Sequence, residues 1–155
     1  MNVLPEDSAE LETMLARYPS RRSGLLPVLW RIQNREGWIS QESMRQAAEI
    51  IGCTAAEVYE VVSFYTMYNQ KPTGKVHIQF CHTLSCAICG AHEAVAYIKD
   101  KYGFRQHADR SDDGRFSMVE VECIGACSEA PAMLVGETLY GNLTPQRIDE
   151  ILSRV

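Results

Sequence analysis

Four cysteines form two tight pairs, Cys81-x4-Cys86 and Cys123-x3-Cys127, in the C-terminal half of a 155-residue chain. Each pair follows a segment that alternates apolar and polar residues as a strand does, which predicts a loop of sulfur donors at a strand end. A [2Fe–2S] cluster takes two thiolates on each of its two irons, so two short cysteine loops brought together make a complete site. If Val76–Phe80 and Phe116–Val121 run parallel, both loops lie on one side of the sheet and the four sulfurs converge. The negative charge of such a centre, and the further charge that arrives on reduction, requires N–H donors around the sulfurs. His82-Thr83-Leu84-Ser85 and Ile124-Gly125-Ala126 can supply them from the backbone, and Gly125 has no side chain to block close approach.

The chain has six cysteines, and other partitions compete. Cys81-x4-Cys86-x2-Cys89 also fits the plant-type ferredoxin run with one distant fourth ligand, but leaves Cys123 or Cys127 without a purpose. Cys86-Ala87-Ile88-Cys89 has dithiol spacing after a strand and at a helix opening, where a thiol pKa is lowered. That reading leaves Cys81, Cys123 and Cys127 unexplained. A structural zinc has a single C-x2-C knuckle to use, Cys86/Cys89. Cys53, in the first half, reads as a small buried hydrophobe. His82 could donate to a cluster sulfur or simply be solvated, while His77, His92 and His107 match no metal or triad spacing. Arg21-Arg22 reads as a solvated basic patch.

The elements that must position these residues come in two styles. The first half reads as short helices: Ser8–Arg17, a run from Leu25 to Ile32 closed by Gly37, Gln41–Ile51 between Ser40 and Gly52, and a run from Val58 opened by the Thr54-x-x-Glu57 capping box. Pro27 falls in a first turn, where its missing N–H costs little. Trp30, Trp38, Phe64, Tyr65 and Tyr68 read as core or interface of this bundle. Asn69–Gly74 is polar with a proline and a glycine, and marks a boundary. Beyond it come strand Val76–Phe80, helix Ala91–Tyr102, turn Ser111–Gly114, strand Phe116–Val121, hairpin Met133–Tyr140 and a last helix capped by Thr144-Pro145. The expectation is an α+β chain: a helical bundle over residues 1–71, then a thioredoxin-like α/β domain over 72–155 that carries the cluster.

Composition narrows the function. A formal charge of −5 with signs interspersed gives no footprint for nucleic acid and no polybasic membrane anchor. No apolar stretch approaches a membrane span, and the acidic start MNVLPEDSAELE lacks the basic stretch of a secretion signal. A cytoplasmic setting is therefore expected, where clustered cysteines mean metal more often than disulfides. No G-x-G-x-x-G follows a strand and no Walker motif appears, so no nucleotide, flavin or nicotinamide site of its own is expected. A one-electron carrier without a substrate must stand between two other redox centres.

Cys81-x4-Cys86 together with Glu122-Cys123-Ile124-Gly125-Ala126-Cys127-Ser128-Glu129-Ala130-Pro131 resembles the thioredoxin-like [2Fe–2S] ferredoxins. More narrowly, it is similar to the small iron–sulfur subunit of NADH–quinone oxidoreductase, respiratory complex I. Leu29-Trp30-Arg31-Ile32-Gln33, Gly37-Trp38-Ile39 and Val62-Ser63-Phe64-Tyr65-Thr66-Met67-Tyr68 are similar to that family's helical domain. The resemblance, from about Tyr18 to the C-terminus, implies Cys81, Cys86, Cys123 and Cys127 as ligands and leaves Cys89 outside the ligand set. It implies single-electron exchange with the FMN of a partner flavoprotein subunit, which also binds NADH and is clasped by the helical half. The chain would then lie peripheral to the inner membrane, within a larger complex, with no complete active site of its own. Equivalent subunits serve NAD-linked or bifurcating hydrogenases and formate dehydrogenases, an alternative parent complex.

Overall fold

The computed structural model describes residues 8–105 and 108–155; His107 and the acidic start before Ser8 lie outside the described residues. The chain divides into two compact units, Met1–Pro72 and Thr73–Val155. No helix among the described residues is long and apolar enough to cross a membrane.

The first unit contains α1 (Ser8–Leu15), α2 (Leu25–Glu36), α3 (Gln41–Ile51) and α4 (Ala55–Phe64). Their ends are set by local chemistry. Ser40 accepts from the Ser43 N–H to open α3, and α2 closes on Gly37, whose left-handed φ of 79° suits a residue without Cβ. Thr54 and Glu57 make both bonds of a capping box at the start of α4. Leu25, Val28, Leu29 and Ile32 on α2 meet Met44, Ala47 and Ala48 on α3 and Val58 and Val62 on α4 in one core. Buried Tyr68 donates its hydroxyl to the Leu26 carbonyl at 3.0 Å, and buried Gln33 bridges the Met67 carbonyl and the Asn69 N–H. These bonds fold the segment after α4 back over α2.

Two sequence expectations, for the arginines and for Cys53, change here. Arg21 grips both oxygens of Glu12 at 2.7 and 2.9 Å, and Arg22 pairs with Glu57 at 2.7 Å, so the two arginines are engaged within the unit. Cys53 is half-buried at the edge of the core. The aromatic residues divide: Tyr68 is buried with Trp30 edge-on to it, whereas Phe64 is 76% exposed.

The second unit is a four-stranded mixed sheet of order β2-β1-β3-β4, with β1 Val76–Cys81, β2 Phe116–Val121, β3 Met133–Val135 and β4 Thr138–Tyr140. β1 and β2 are parallel, in register from Val76↔Phe116 to Cys81↔Val121; β3 runs antiparallel to β1 and forms a hairpin with β4. Between β1 and β2 the chain makes α5 (Leu84–Ile88) and α6 (Ala91–Lys101), and α7 (Pro145–Leu152) ends the fold. Ala91, Ala94, Val95 and Ile98 of α6 and Ile148, Ile151 and Leu152 of α7 share a core with Ile78 and Phe80. Asp149 on α7 accepts from Tyr97, Lys101 and Tyr102, tying the two helices together. The architecture is the thioredoxin-like α+β fold expected from the order of elements.

α5 is an element that the sequence does not announce. At five residues it is too short for an apolar periodicity to declare itself.

Candidate metal centre

The parallel pairing of β1 and β2 does the first part of the positioning. Cys81 is the last residue of β1 and is register partner to Val121, the last residue of β2. Both strands therefore end on the same side, and Cys123 follows two residues after β2. The chain then turns through Gly125 so that Cys127 returns to Cys123, with Sγ atoms 3.6 Å apart. The backbone gives a further reason for a glycine here. A Cβ there would meet nothing within 4 Å, but φ is +81°, so backbone conformation rather than room demands it.

The second part of the positioning comes from α5. Thr83 is its N-cap, Cys86 lies within it, and Cys89 is its C-cap. Cys86 and Cys81 are buried, whereas Cys89, Cys123 and Cys127 are exposed. The C-x-x-C segment thus does not open the long helix, whose N-cap is Gly90. Cys89 is the exposed C-terminal end of that short helix.

The thiols influence one another in a connected set. Burial pulls the Cys81 thiol up, but hydrogen bonds from the Thr83 hydroxyl, the Thr83 N–H, Cys86 and the Ile124 N–H outweigh it and bring the pKa down. Its partner moves the opposite way: burial, donation to Cys81, and the charges of Cys81 and Cys127 push Cys86 up to about 11. Cys127 is raised through its contact with Cys123, opposed by a hydrogen bond from Ser85, and it also feels the charge of Cys81. Both candidate pairs are therefore within electrostatic reach of each other.

The donor chemistry around these sulfurs suits thiolates that carry metal charge. N–H groups of Thr83 and Ile124 serve Cys81, that of Ala132 serves Cys86, and that of Gly125 lies 3.4 Å from Cys123 Sγ. The Ala132 donor, at the start of the hairpin, is not legible in the sequence because it is adjacent to the site only once β3 pairs with β1. No group of three or more His, Cys, Asp or Glu residues among the described ones is placed to hold a metal ion. A [2Fe–2S] cluster asks for two protein donors at each of its irons, and the two cysteine pairs can supply them. The residues present fit a [2Fe–2S] cluster.

His82 Nε2 lies 3.7 Å from Glu122 Oε1. His77 Nδ1 is 2.8 Å from Ser117 Oγ, and burial pushes its pKa down. His92 is exposed on α6.

Comparison with known proteins gives a consistent result. The thioredoxin-like [2Fe–2S] ferredoxin family matches residues 11–155. NADH-quinone oxidoreductase subunit 2 of Thermus thermophilus is 40% identical over 146 residues, covering 92% of this chain and 80% of its own. A subunit of NADH-quinone oxidoreductase from Rhizobium meliloti is 37% identical over 143 residues, 92% of this chain and 84% of its own. Among solved structures, an NAD+-reducing [NiFe]-hydrogenase superposes with a TM-score of 0.72 at 21% identity, over 84% of this chain and 22% of that one. The last likeness concerns the fold alone.

Proposed function

Because the chain belongs to the thioredoxin-like [2Fe–2S] ferredoxin family, whose cofactor is a [2Fe–2S] cluster, we propose that it is the electron-transfer subunit of an NADH dehydrogenase module of NADH–quinone oxidoreductase. Cys81 and Cys86 hold one iron and Cys123 and Cys127 the other. The observation that carries this reading is the shared end of the parallel strands β1 and β2, which puts Cys81 and Cys123 on one side of the sheet, with Cys86 following on α5 and Cys127 after the Gly125 turn. The relatives named above, similar over most of their own length, support the parent complex.

When bound, the cluster supplies reversible one-electron chemistry. The protein's own groups hold the sulfurs and answer their charge. Cys81 and Cys86 sit in the core, where water is excluded and the N–H groups of Thr83, Ile124 and Ala132 are fixed in place. Fixed donors need little reorganisation when one negative charge is added, which keeps electron exchange fast. Cys123 and Cys127 lie on the exposed side, the side from which a partner centre can be approached. We assign that partner as a flavoprotein subunit carrying FMN and NADH, with the helical unit, residues 1–71, as the part that grips it. Exposed Phe64 and Tyr65 at the end of α4 give such a contact an apolar face.

The test is anaerobic reconstitution of the purified chain followed by visible absorption and electron paramagnetic resonance. Two irons per chain and a one-electron signal on reduction are expected, with NADH oxidation appearing after the flavoprotein subunit is added. A colourless, iron-free product would refute the reading, and robust NADH oxidation by the chain alone would reveal an active site of its own.

A further inference from the structure

Thr83 is an N-cap that does not cap. The serines and threonines at N-cap positions of the other helical segments, Ser20, Ser40, Thr54 and Thr144, all accept a hydrogen bond from a backbone N–H three residues on. That bond is the ordinary reason for a hydroxyl residue at this position. Thr83 has the same extended backbone but makes no such bond. Its Oγ1 lies instead 3.2 Å from Cys81 Sγ, within hydrogen-bond reach of sulfur. A thiolate has no proton to give, so with Cys81 ionised the hydroxyl is the donor.

We infer that the Thr83 hydroxyl is a positioning residue that raises the reduction potential of the centre by donating to Cys81 Sγ. The inference rests on the ligand role proposed for Cys81. Reduction adds one electron and no proton to the site, so the sulfurs become more negative and a hydrogen bond to them strengthens. A donor that binds the reduced state more tightly than the oxidised one shifts the couple upward. Location decides which hydroxyl matters. Ser85 is the other hydroxyl that acts on a candidate ligand, lowering the Cys127 pKa, but Cys127 is exposed and water can replace that donor. Cys81 is 1% exposed, so no water takes the place of the Thr83 hydroxyl.

The experiment is a redox titration of the reconstituted full-length protein, followed by electron paramagnetic resonance, for wild type, Thr83→Val, Thr83→Ser and Ser85→Ala. Thr83→Val is expected to lower the equilibrium constant for reduction about tenfold, a shift of about −59 mV for a one-electron couple. Thr83→Ser keeps the wild-type potential, and Ser85→Ala moves it less than the valine variant does. An unchanged potential in Thr83→Val, or an equal shift in Thr83→Ser, overturns the inference. Should Thr83→Val take up no cluster, Thr83→Ala replaces it in the comparison. If both fail to hold iron, the hydroxyl builds the site rather than tuning it, and the inference falls. Cys81→Ser in the same series tests the ligand role separately. Spectra and iron content unchanged in that variant would remove the premise, whatever the threonine variants do.

Discussion

Cys123 and Cys127 bring their Sγ atoms to 3.6 Å by a turn through Gly125, and both remain exposed while Cys81 and Cys86 are buried. The candidate centre is therefore asymmetric. One pair is fixed in the core by strand and helix, and the other stands on a short loop at the surface. This asymmetry suits an electron carrier, since one side insulates the charge and the other admits a partner.

The ligand set predicts opposite outcomes for two serine substitutions. Cys127→Ser removes a donor from the exposed pair and is expected to lose the cluster or bind it at least tenfold less stably. Cys89→Ser alters an exposed helix end and is expected to retain it. Iron content and the visible spectrum after identical reconstitution decide between them. Retention in the first variant with loss in the second would restore the plant-type ligand assignment.

Gly125→Ala tests the turn itself. No atom of the chain lies within 4 Å of the added methyl, so within the chain the cost is the left-handed backbone, about 1–2 kcal/mol for a residue with Cβ. The strained loop will hold Cys123 and Cys127 less well, and the cluster should decay roughly five- to thirtyfold faster under a chelator. Visible absorbance against time measures this. Decay at the wild-type rate would mean the loop relaxes without disturbing the sulfurs.

Most of this architecture is legible because its signals are local. Ser40, Thr54 and Thr144 declare helix starts, Gly37 and Gly52 declare ends, and the alternation of Phe116–Val121 declares a strand. The parallel pairing of β1 with β2 can be stated as a condition for the site, since a helical crossover between two strands favours it. What escapes is set by tertiary contact. α5 is too short to show a period, the Ala132 donor reaches Cys86 only through sheet pairing, and the engagement of Arg21 with Glu12 depends on helices packing. Cys53 reads as buried because cysteine usually is, whereas its place after the Gly52 cap leaves it half open.

The capping box of α4 gives a pH dependence. Hydrogen bonds from the Thr54 N–H and hydroxyl, and then from Arg22, hold the Glu57 carboxyl at about 2, below its ordinary 4.5. A depressed carboxylate stabilises the fold above the unfolded pKa, and that stabilisation is lost as pH falls through the folded value. Melting temperature followed by circular dichroism should therefore fall more steeply from about pH 5 to pH 2 in wild type than in Glu57→Gln. Parallel slopes would show that the box persists with a neutral side chain. At neutral pH, Thr54→Ala should cost about 1 kcal/mol through the lost N-cap.

At Asp149 one carboxylate accepts from Tyr97, Lys101 and Tyr102 at 2.6 to 3.0 Å. The Lys101 ammonium and the Tyr97 hydroxyl keep its pKa down, while burial and the Asp149 contact push Tyr102 up to about 12. Asp149→Asn keeps the shape but replaces one acceptor oxygen by an N–H₂ that faces donors. The variant should melt lower than wild type at pH 7. The gap should close on acidification, because the depressed Asp149 contributes only while ionised. At the alkaline end the sign reverses for Tyr102, whose raised pKa favours the folded state below about pH 10 and loses that advantage as pH rises towards 12. Tyr102→Phe should flatten that alkaline limb. Equal melting of Asp149→Asn and wild type at pH 7 would show that α6 and α7 are held by Ile98, Ile148 and Leu152 without help from the polar cluster.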